Sequence, residues 1–283
     1  MRRSIQWPDN KLLACTFTVA LEAFRKSGRF KKTPKLAVNL CSISHANYGG
    51  NAGIWRIMEI LERNNVRAVV FVNGLAAQKW PDAVRALHTA GHEIAGHGIT
   101  NDVEMVDLTP EQQREEIRAS TKIIQDTIGD APMGWIGPGG LFTEETLGLL
   151  AEEGYIWSTD LCDDDVPYPV KISGRRMCII PKTWYANDWR AWGDGIANGA
   201  SFFTGFKEGF EFVYEEALGG RPGMIDASVH AELGGRPYMA VGFEKMIKLV
   251  NQHRSQVWIP TYREIAEYCL ANVTDAEDYK PYG

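Results

Sequence analysis

Glu22, His97 and His230 are the side chains in this 283-residue sequence best placed for acid–base or metal chemistry. His97 lies between two glycines in Gly91-His92-Glu93-Ile94-Ala95-Gly96-His97-Gly98. An imidazole there can ligate a metal ion or carry a proton near neutral pH, and Gly96 and Gly98 leave room for a ligand against the backbone. His230 ends Met224-Ile225-Asp226-Ala227-Ser228-Val229-His230 and repeats that arrangement at the end of a second short run. Glu22 follows the apolar and β-branched run Leu12–Leu21. A carboxylate in that position is either solvated at a sheet rim or set there to work, and the stretch taken alone favours the rim. Asn187 and Asp188 sit among Trp184, Trp189 and Trp192, a loop that suits a planar polar ligand or a subunit contact equally well. The consecutive acids Asp163, Asp164 and Asp165 read as a solvated run that can also supply a base or a polar anchor.

The elements that must carry these residues alternate. The unbroken run Leu12–Leu21 predicts a strand buried on both faces of a parallel sheet. Helical apolar spacing over 53–63 leads to a strand over 68–73, and a helix over 82–90, capped by Gly91, leads to the short strand that delivers His97. Thr109-Pro110-Glu111-Gln112 opens a helix running to about Ile128. Gly134-Trp135-Ile136-Gly137-Pro138-Gly139-Gly140 follows, and its glycines can bring backbone N–H groups close to a bound molecule. A helix over 143–153, strands at 155–159 and 179–181, a helix over 201–218 and the strand ending in His230 continue the alternation. A helix over 241–251, a strand at 257–259 and a helix after Thr261 complete about seven strands and as many helices. This pattern is that of βα units, with functional residues at the strand C-terminal ends. Residues 23–50 read as a long loop or arm rich in Lys, Arg, Ser and Gly. His88 and His92, four apart across Gly91, read as a helix-surface residue and a packed residue rather than as a ligand pair.

Composition narrows the partners. A net charge of −6 without a basic run disfavours nucleic acid and anionic membrane and favours a small-molecule substrate. No stretch approaches a membrane span, and the start, Met1-Arg2-Arg3-Ser4-Ile5, has no apolar signal core, so a cytoplasmic location is expected. The five scattered cysteines form no Cys-x-x-Cys pair, and the acids directly after Cys162 disfavour a nucleophilic thiolate. One domain over residues 1–283 is expected.

The order of these pieces resembles the polysaccharide deacetylase (NodB-homology) superfamily, and its cytosolic branch of metal-independent allantoinases and cyclic imide hydrolases. The resemblance is carried by Gly91–Gly98, by Phe142-Thr143-Glu144-Glu145-Thr146 with Leu150–Tyr155, by Asp164-Asp165-Val166-Pro167-Tyr168, by Asn187-Asp188, and by His230 before Gly234-Gly235-Arg236-Pro237. It implies an α/β fold, a deformed (β/α)7 barrel with its site at the strand C-terminal ends, and a homo-oligomer, dimer or tetramer. Deacetylases of the superfamily hold a divalent metal with one aspartate and two histidines four residues apart, and use a preceding aspartate as base. Here Glu22 matches the acidic ligand, Ala20 replaces the base, His97 matches the first histidine and Asn101 replaces the second. Two arginines are also missing, since the loops read Ile136-Gly137-Pro138-Gly139-Gly140 and Tyr48-Gly49-Gly50-Asn51-Ala52-Gly53.

These departures set the expectations for function. The leading one is hydrolysis of a non-peptide C–N bond, ring opening of a small cyclic amide or imide, with no cofactor or at most a weakly held divalent metal at Glu22, His97 and Asn101. Glu22, His97 and His230 are the expected catalytic groups, with oxyanion donors near Pro138 and Gly139. Asn51, Trp135, Ile136, Pro138, Gly139, Asp164, Asn187, Asp188 and Trp189 are the expected substrate contacts. A metal-dependent small-molecule deacetylase or deformylase, and a binding protein that kept the barrel without the chemistry, are the alternatives.

Overall fold

A computed structural model of the chain describes residues 3–26, 40–184, 186–193, 195 and 198–279. The first half contains β1 (Leu13–Leu21), α1 (Leu40–Tyr48), α2 (Ile54–Arg63), β2 (Val69–Val72), α3 (Gly74–Lys79), α4 (Pro81–Thr89), β3 (Glu93–Gly96), α5 (Pro110–Ile128) and β4 (Gly134–Trp135). The second half contains α6 (Glu144–Glu152), β5 (Trp157–Ser158), β6 (Tyr168–Ile172), β7 (Arg175–Ile179), α7 (Asp188–Gly193), α8 (Gly199–Leu218), β8 (Gly223–His230), α9 (Pro237–Gln252), β9 (Val257–Trp258), α10 (Tyr262–Asn272) and β10 (Glu277–Asp278). Among the described residues, the ten strands join one sheet in the order β10-β6-β7-β5-β4-β3-β2-β1-β8, with β9 against β1. It is the deformed, incompletely closed barrel of the NodB type.

Alternation along β1 separates two environments. Cys15, Phe17, Val19 and Leu21 face the helices with Phe206 and Phe243, while Ala14 packs inward with Trp157 and Tyr262. The same inward face carries Thr16 and Thr18, both fully buried, and ends at Glu22. In β8, Ile225, Ala227 and Val229 face outward, and Asp226, Ser228 and His230 alternate with them. The register pairs Thr16 with Asp226, Thr18 with Ser228 and Ala20 with His230, so the barrel interior is polar along this seam and the catalytic candidates lie at its top.

Local signals explain the ends that matter. Thr109 accepts from Gln112 N–H, and the Gln112 side chain returns the bond to complete a capping box at the start of α5. Gly129, at φ 90°, closes that helix.

Three expectations are corrected. The arm over 23–50 is not a loop throughout: Leu40–Tyr48 is α1, and Gly49–Gly53 is a π-helical turn running directly into α2. Residues 27–39 of that arm lie outside the described residues. Glycine lowers helix propensity and so disguises the turn, but it is needed there for close approach. A Cβ on Gly53 would lie 1.9 Å from the Ala231 carbonyl oxygen, and one on Gly50 would lie 1.9 Å from the Trp80 indole. The strand at 179–181 is instead the end of a β6–β7 hairpin, turned by Ser173 and Gly174, both at positive φ. Helix α9 starts at Pro237, four residues before the periodicity begins at Val241.

Candidate active site

Glu22 sits one residue past β1, His97 one residue past β3, and His230 ends β8; β8 and β1 are neighbours and β2 separates β1 from β3, so the parallel order brings the three to one edge. All are buried. His97 Nε2 is 3.1 Å from Glu22 Oε1, and His230 Nε2 approaches the same oxygen at 3.8 Å. Each imidazole is anchored at its other nitrogen. His97 Nδ1 lies 2.8 Å from the Ile136 carbonyl oxygen, which can only accept, so Nδ1 carries the hydrogen. A proton must then lie between His97 Nε2 and Glu22 Oε1, since otherwise two lone pairs would face each other in a buried space. His230 Nδ1 donates to Asp188 Oδ1 at 2.7 Å, while its backbone N–H donates to Asp188 Oδ2 at 2.9 Å. Asp188, fully buried at the first turn of α7, therefore fixes both the tautomer and the position of His230. Asn187 caps that turn by accepting from the N–H groups of Trp189 and Arg190, and it bridges Ser228 in β8.

These groups line a cavity of about 120 Å³ together with Ile136, Gly139, Asn187 and Trp189. It opens, through Gly139, Lys182 and Trp189, into a groove of about 870 Å³ that includes Asp164. A separate cavity of about 390 Å³ around His92 and Glu93 lies at the opposite ends of the strands, away from these catalytic groups.

Several expected contacts are placed elsewhere. Asn51 is exposed, and its side-chain oxygen accepts from Trp80 Nε1 at 2.9 Å. Trp135 is wholly buried, edge-on to Tyr155 and packed under Gly96, so it supports the strand below His97. Pro138 is buried against Gly98. Asp164 pairs with Arg3 at 3.0 Å on the wall of the groove. Asp188 contacts His230 rather than the cavity. The expectation that Gly96 and Gly98 make room for a ligand is also corrected. Cβ atoms there would meet Trp135 and Pro138 at 2.8 and 2.9 Å, so the room is used by protein packing. Of the glycine loop, the Gly137 N–H is already committed to Asp160 Oδ1 at 2.7 Å, which leaves Gly139 at the cavity wall. His88 pairs with Asp130 on the surface, and buried His92 accepts from Ala68 N–H, as expected.

Sequence reasoning missed Lys182, Ser228, Phe71 and Arg190, all at the cavity, whereas Trp184 of the aromatic loop lines it. The Lys182 side chain is 3% exposed and lies 3.8 Å from Asp226. Burial lowers its pKa against the pull of Asp226, Asp160 and Asp188, and burial raises that of Asp226. Burial also pushes Asp160 up to about 6, opposed by its bonds from Gly137 and Ser158. The available signal was the alternation Asp226-x-Ser228-x-His230, which puts two polar groups beneath the histidine on one strand face.

The donor set is incomplete for the divalent ion that deacetylases of this type hold. Glu22 and His97 supply two donors, and the third position presents the Asn101 amide, whose Nδ2 donates to Glu22 Oε2 at 3.1 Å. Asn101 Oδ1 is buried and has no partner among the described residues, so the carboxylate orients this amide by its hydrogens. A neutral amide oxygen is in any case a weak donor for zinc. No group of three His, Cys, Asp or Glu suited to a metal occurs among the described residues. The residues present do not fit a tightly held zinc ion.

Residues 46–156 match the polysaccharide deacetylase family. Over that stretch, and in its fold, the chain resembles the polysaccharide deacetylases of the NodB type. It is 27% identical to a Schizosaccharomyces pombe protein assigned to the polysaccharide deacetylases, over 92% of this chain and 91% of that one. It is 24% identical to the peptidoglycan deacetylase of Helicobacter pylori, over 80% of this chain and 86% of that one. The crystal structure of the Puue allantoinase superposes with a TM-score of 0.89 at 28% identity, covering 96% of this chain and 94% of the other. Deacetylases of this kind are amidohydrolases of non-peptide C–N bonds, and the chain is similar to them in sequence and fold. No helix among the described residues is long and apolar enough to cross a membrane.

Proposed function

We propose that this NodB-type chain opens a small cyclic amide or imide by hydrolysis, without a tightly bound metal. One observation carries the reading. Two imidazoles, each fixed at Nδ1 by an acceptor, direct Nε2 at the same Glu22 oxygen, and an amide stands at the third ligand position. Likeness to an allantoinase over nearly the whole chain supports a cyclic substrate.

The roles follow from the hydrogen bonds. His230, with its proton on Nδ1 and Asp188 behind it, takes a proton at Nε2 from the attacking water. Asp188 stabilises the imidazolium, which then protonates the leaving ring nitrogen. Water adds to the carbonyl carbon, the C–N bond breaks, and the ring opens to a carboxylate. The proton shared by Glu22 and His97 supplies a donor for the carbonyl oxygen as its charge develops. Trp184 and Trp189 border the cavity and limit water there. Five free cysteines suit a reducing cytoplasm.

A panel of cyclic imides, hydantoins, lactams and N-formyl and N-acetyl amides tests this, assayed with and without chelator. Ring opening that survives the chelator is expected, with activity abolished in both His97→Ala and His230→Ala. Turnover confined to acyl amines, lost to chelator and accompanied by stoichiometric metal, would replace the proposal with a metal-dependent deacetylase. A ligand that shifts the melting temperature yet is recovered unaltered after long incubation would replace it with a binding protein.

A further inference from the structure

We propose that Lys182 determines specificity in this site by binding the second carbonyl oxygen of a cyclic imide or ureide, the one that water does not attack. The inference rests on the ring-opening reading above. In the β1–β8 register Ala20 pairs with His230, and Thr18 pairs with Ser228 one layer deeper on the same face. The Lys182 ammonium lies at that deeper layer, 3.1 Å from Ser228 Oγ and 3.5 Å from Thr18 Oγ1. Ala20 contributes only a methyl group above it, so the cavity floor is open to the cation, and Ala20, Lys182 and His230 all line the cavity. The layers are about 6.6 Å apart, room for one small ring standing between His230 and the ammonium.

The cation is built in rather than swung in from the surface. Thr183, the next residue, donates its N–H to Asp226 Oδ1 and accepts from Asp226 N–H, which clamps the Lys182 segment to β8. Asp226 Oδ2, at 3.8 Å, supplies charge but lies beyond hydrogen-bond reach. Of the three ammonium hydrogens, two have partners, Ser228 at 3.1 Å and Thr18 at 3.5 Å, so the third is available to a ligand oxygen. The Phe71 ring, 4.9 Å from Nζ, keeps one side dry and strengthens that bond.

An imide or ureide uses such a donor in a way that a lactam does not. When the C–N bond of an imide breaks, the electron pair left on nitrogen delocalises onto the remaining carbonyl oxygen. A cation at that oxygen stabilises the leaving amide until His230 delivers the proton to nitrogen. A lactam has a methylene at the same position and nothing for Lys182 to bind.

Calorimetric titration of the protein with succinimide and with 2-pyrrolidinone, rings of equal size that differ by one carbonyl, tests the assignment. The wild type should bind succinimide about 10- to 100-fold more tightly, the range expected for a hydrogen bond from a charged donor. Lys182→Met should bring the two ligands to parity. Equal affinities in the wild type, which needs no variant to fold, would overturn the proposal, as would discrimination that persists in Lys182→Met. Tight, Lys182-dependent succinimide binding with no turnover of any ring would instead overturn the ring-opening reading and leave the carbonyl subsite standing.

Discussion

Asp188→Asn isolates the base from the rest of the site. Asp188 meets His230 twice, with Oδ2 accepting the backbone N–H at 2.9 Å and Oδ1 accepting Nδ1–H at 2.7 Å. The backbone N–H is a donor that cannot change, so an asparagine must turn its oxygen toward it. Its NH2 group then faces the ring, and the imidazole has to present a lone pair at Nδ1. The proton moves to Nε2, the atom directed at Glu22, and the lone pair that accepts a proton from water is lost. General base catalysis of this kind contributes about 10²- to 10⁴-fold, so kcat should fall by that factor. The side chain keeps its shape and both hydrogen bonds, so only the charge assistance is lost. That costs about 1 to 2 kcal/mol and shifts the melting temperature by a few degrees. Steady-state kinetics on the best ring substrate, beside a thermal melt, measure both quantities. A folded Asp188→Asn enzyme that kept kcat within about threefold of wild type would refute the argument, because no orientation of the amide preserves the native tautomer.

Two further substitutions probe other parts of the site. Asn101→His places a second imidazole four residues after His97 and beside Glu22, completing a carboxylate and two-histidine donor set. After zinc loading and dialysis it should retain about one zinc per chain by elemental analysis, well above wild type; equal contents would show that Asn101 does not limit metal binding. Asp160→Asn probes stability against pH. The folded carboxyl titrates near 6, above its unfolded value of 3.8, so the folded state binds more protons between these limits. Its contribution is complete below about pH 4 and is lost as pH rises through 6, a change of about 3 kcal/mol. Wild type minus variant, compared in melts at pH 4.5 and pH 7.5, should show this slope, and parallel curves would refute it.

The fold was legible where one physical cause dominated a stretch. The strand ending at Leu21 and the helix over 110–128 follow from apolar runs and a capping box, and both lie where expected. The α1 stretch was not legible, because its burial is slight and the following glycines argue for a loop. Their purpose, close approach to Ala231 and Trp80, depends on segments far away in sequence. In the site, His97 and His230 could be read from their positions at strand ends, whereas the run before Glu22 alone favoured a solvated rim, which its burial corrects. Asp188 was noticed but misplaced, because an acid beside tryptophans resembles a ligand contact until His230 is found above it.

Lys182 marks a different limit. A lone lysine after a proline looks like a solvated side chain, and nothing nearby in sequence accounts for its burial. The account comes from Asp226, forty-four positions later by the numbering, whose carboxylate has no reason to lie in a barrel interior unless a cation meets it. Removing either partner alone would strand a buried charge, which is far costlier than the pair itself is worth. The two are therefore coupled, and their coupling explains how a site without the family's arginines can still present positive charge to a substrate. A guanidinium reaching in from a mobile loop grips an anion at the rim. An ammonium fixed below the histidine layer favours a neutral ring whose charge appears during the reaction.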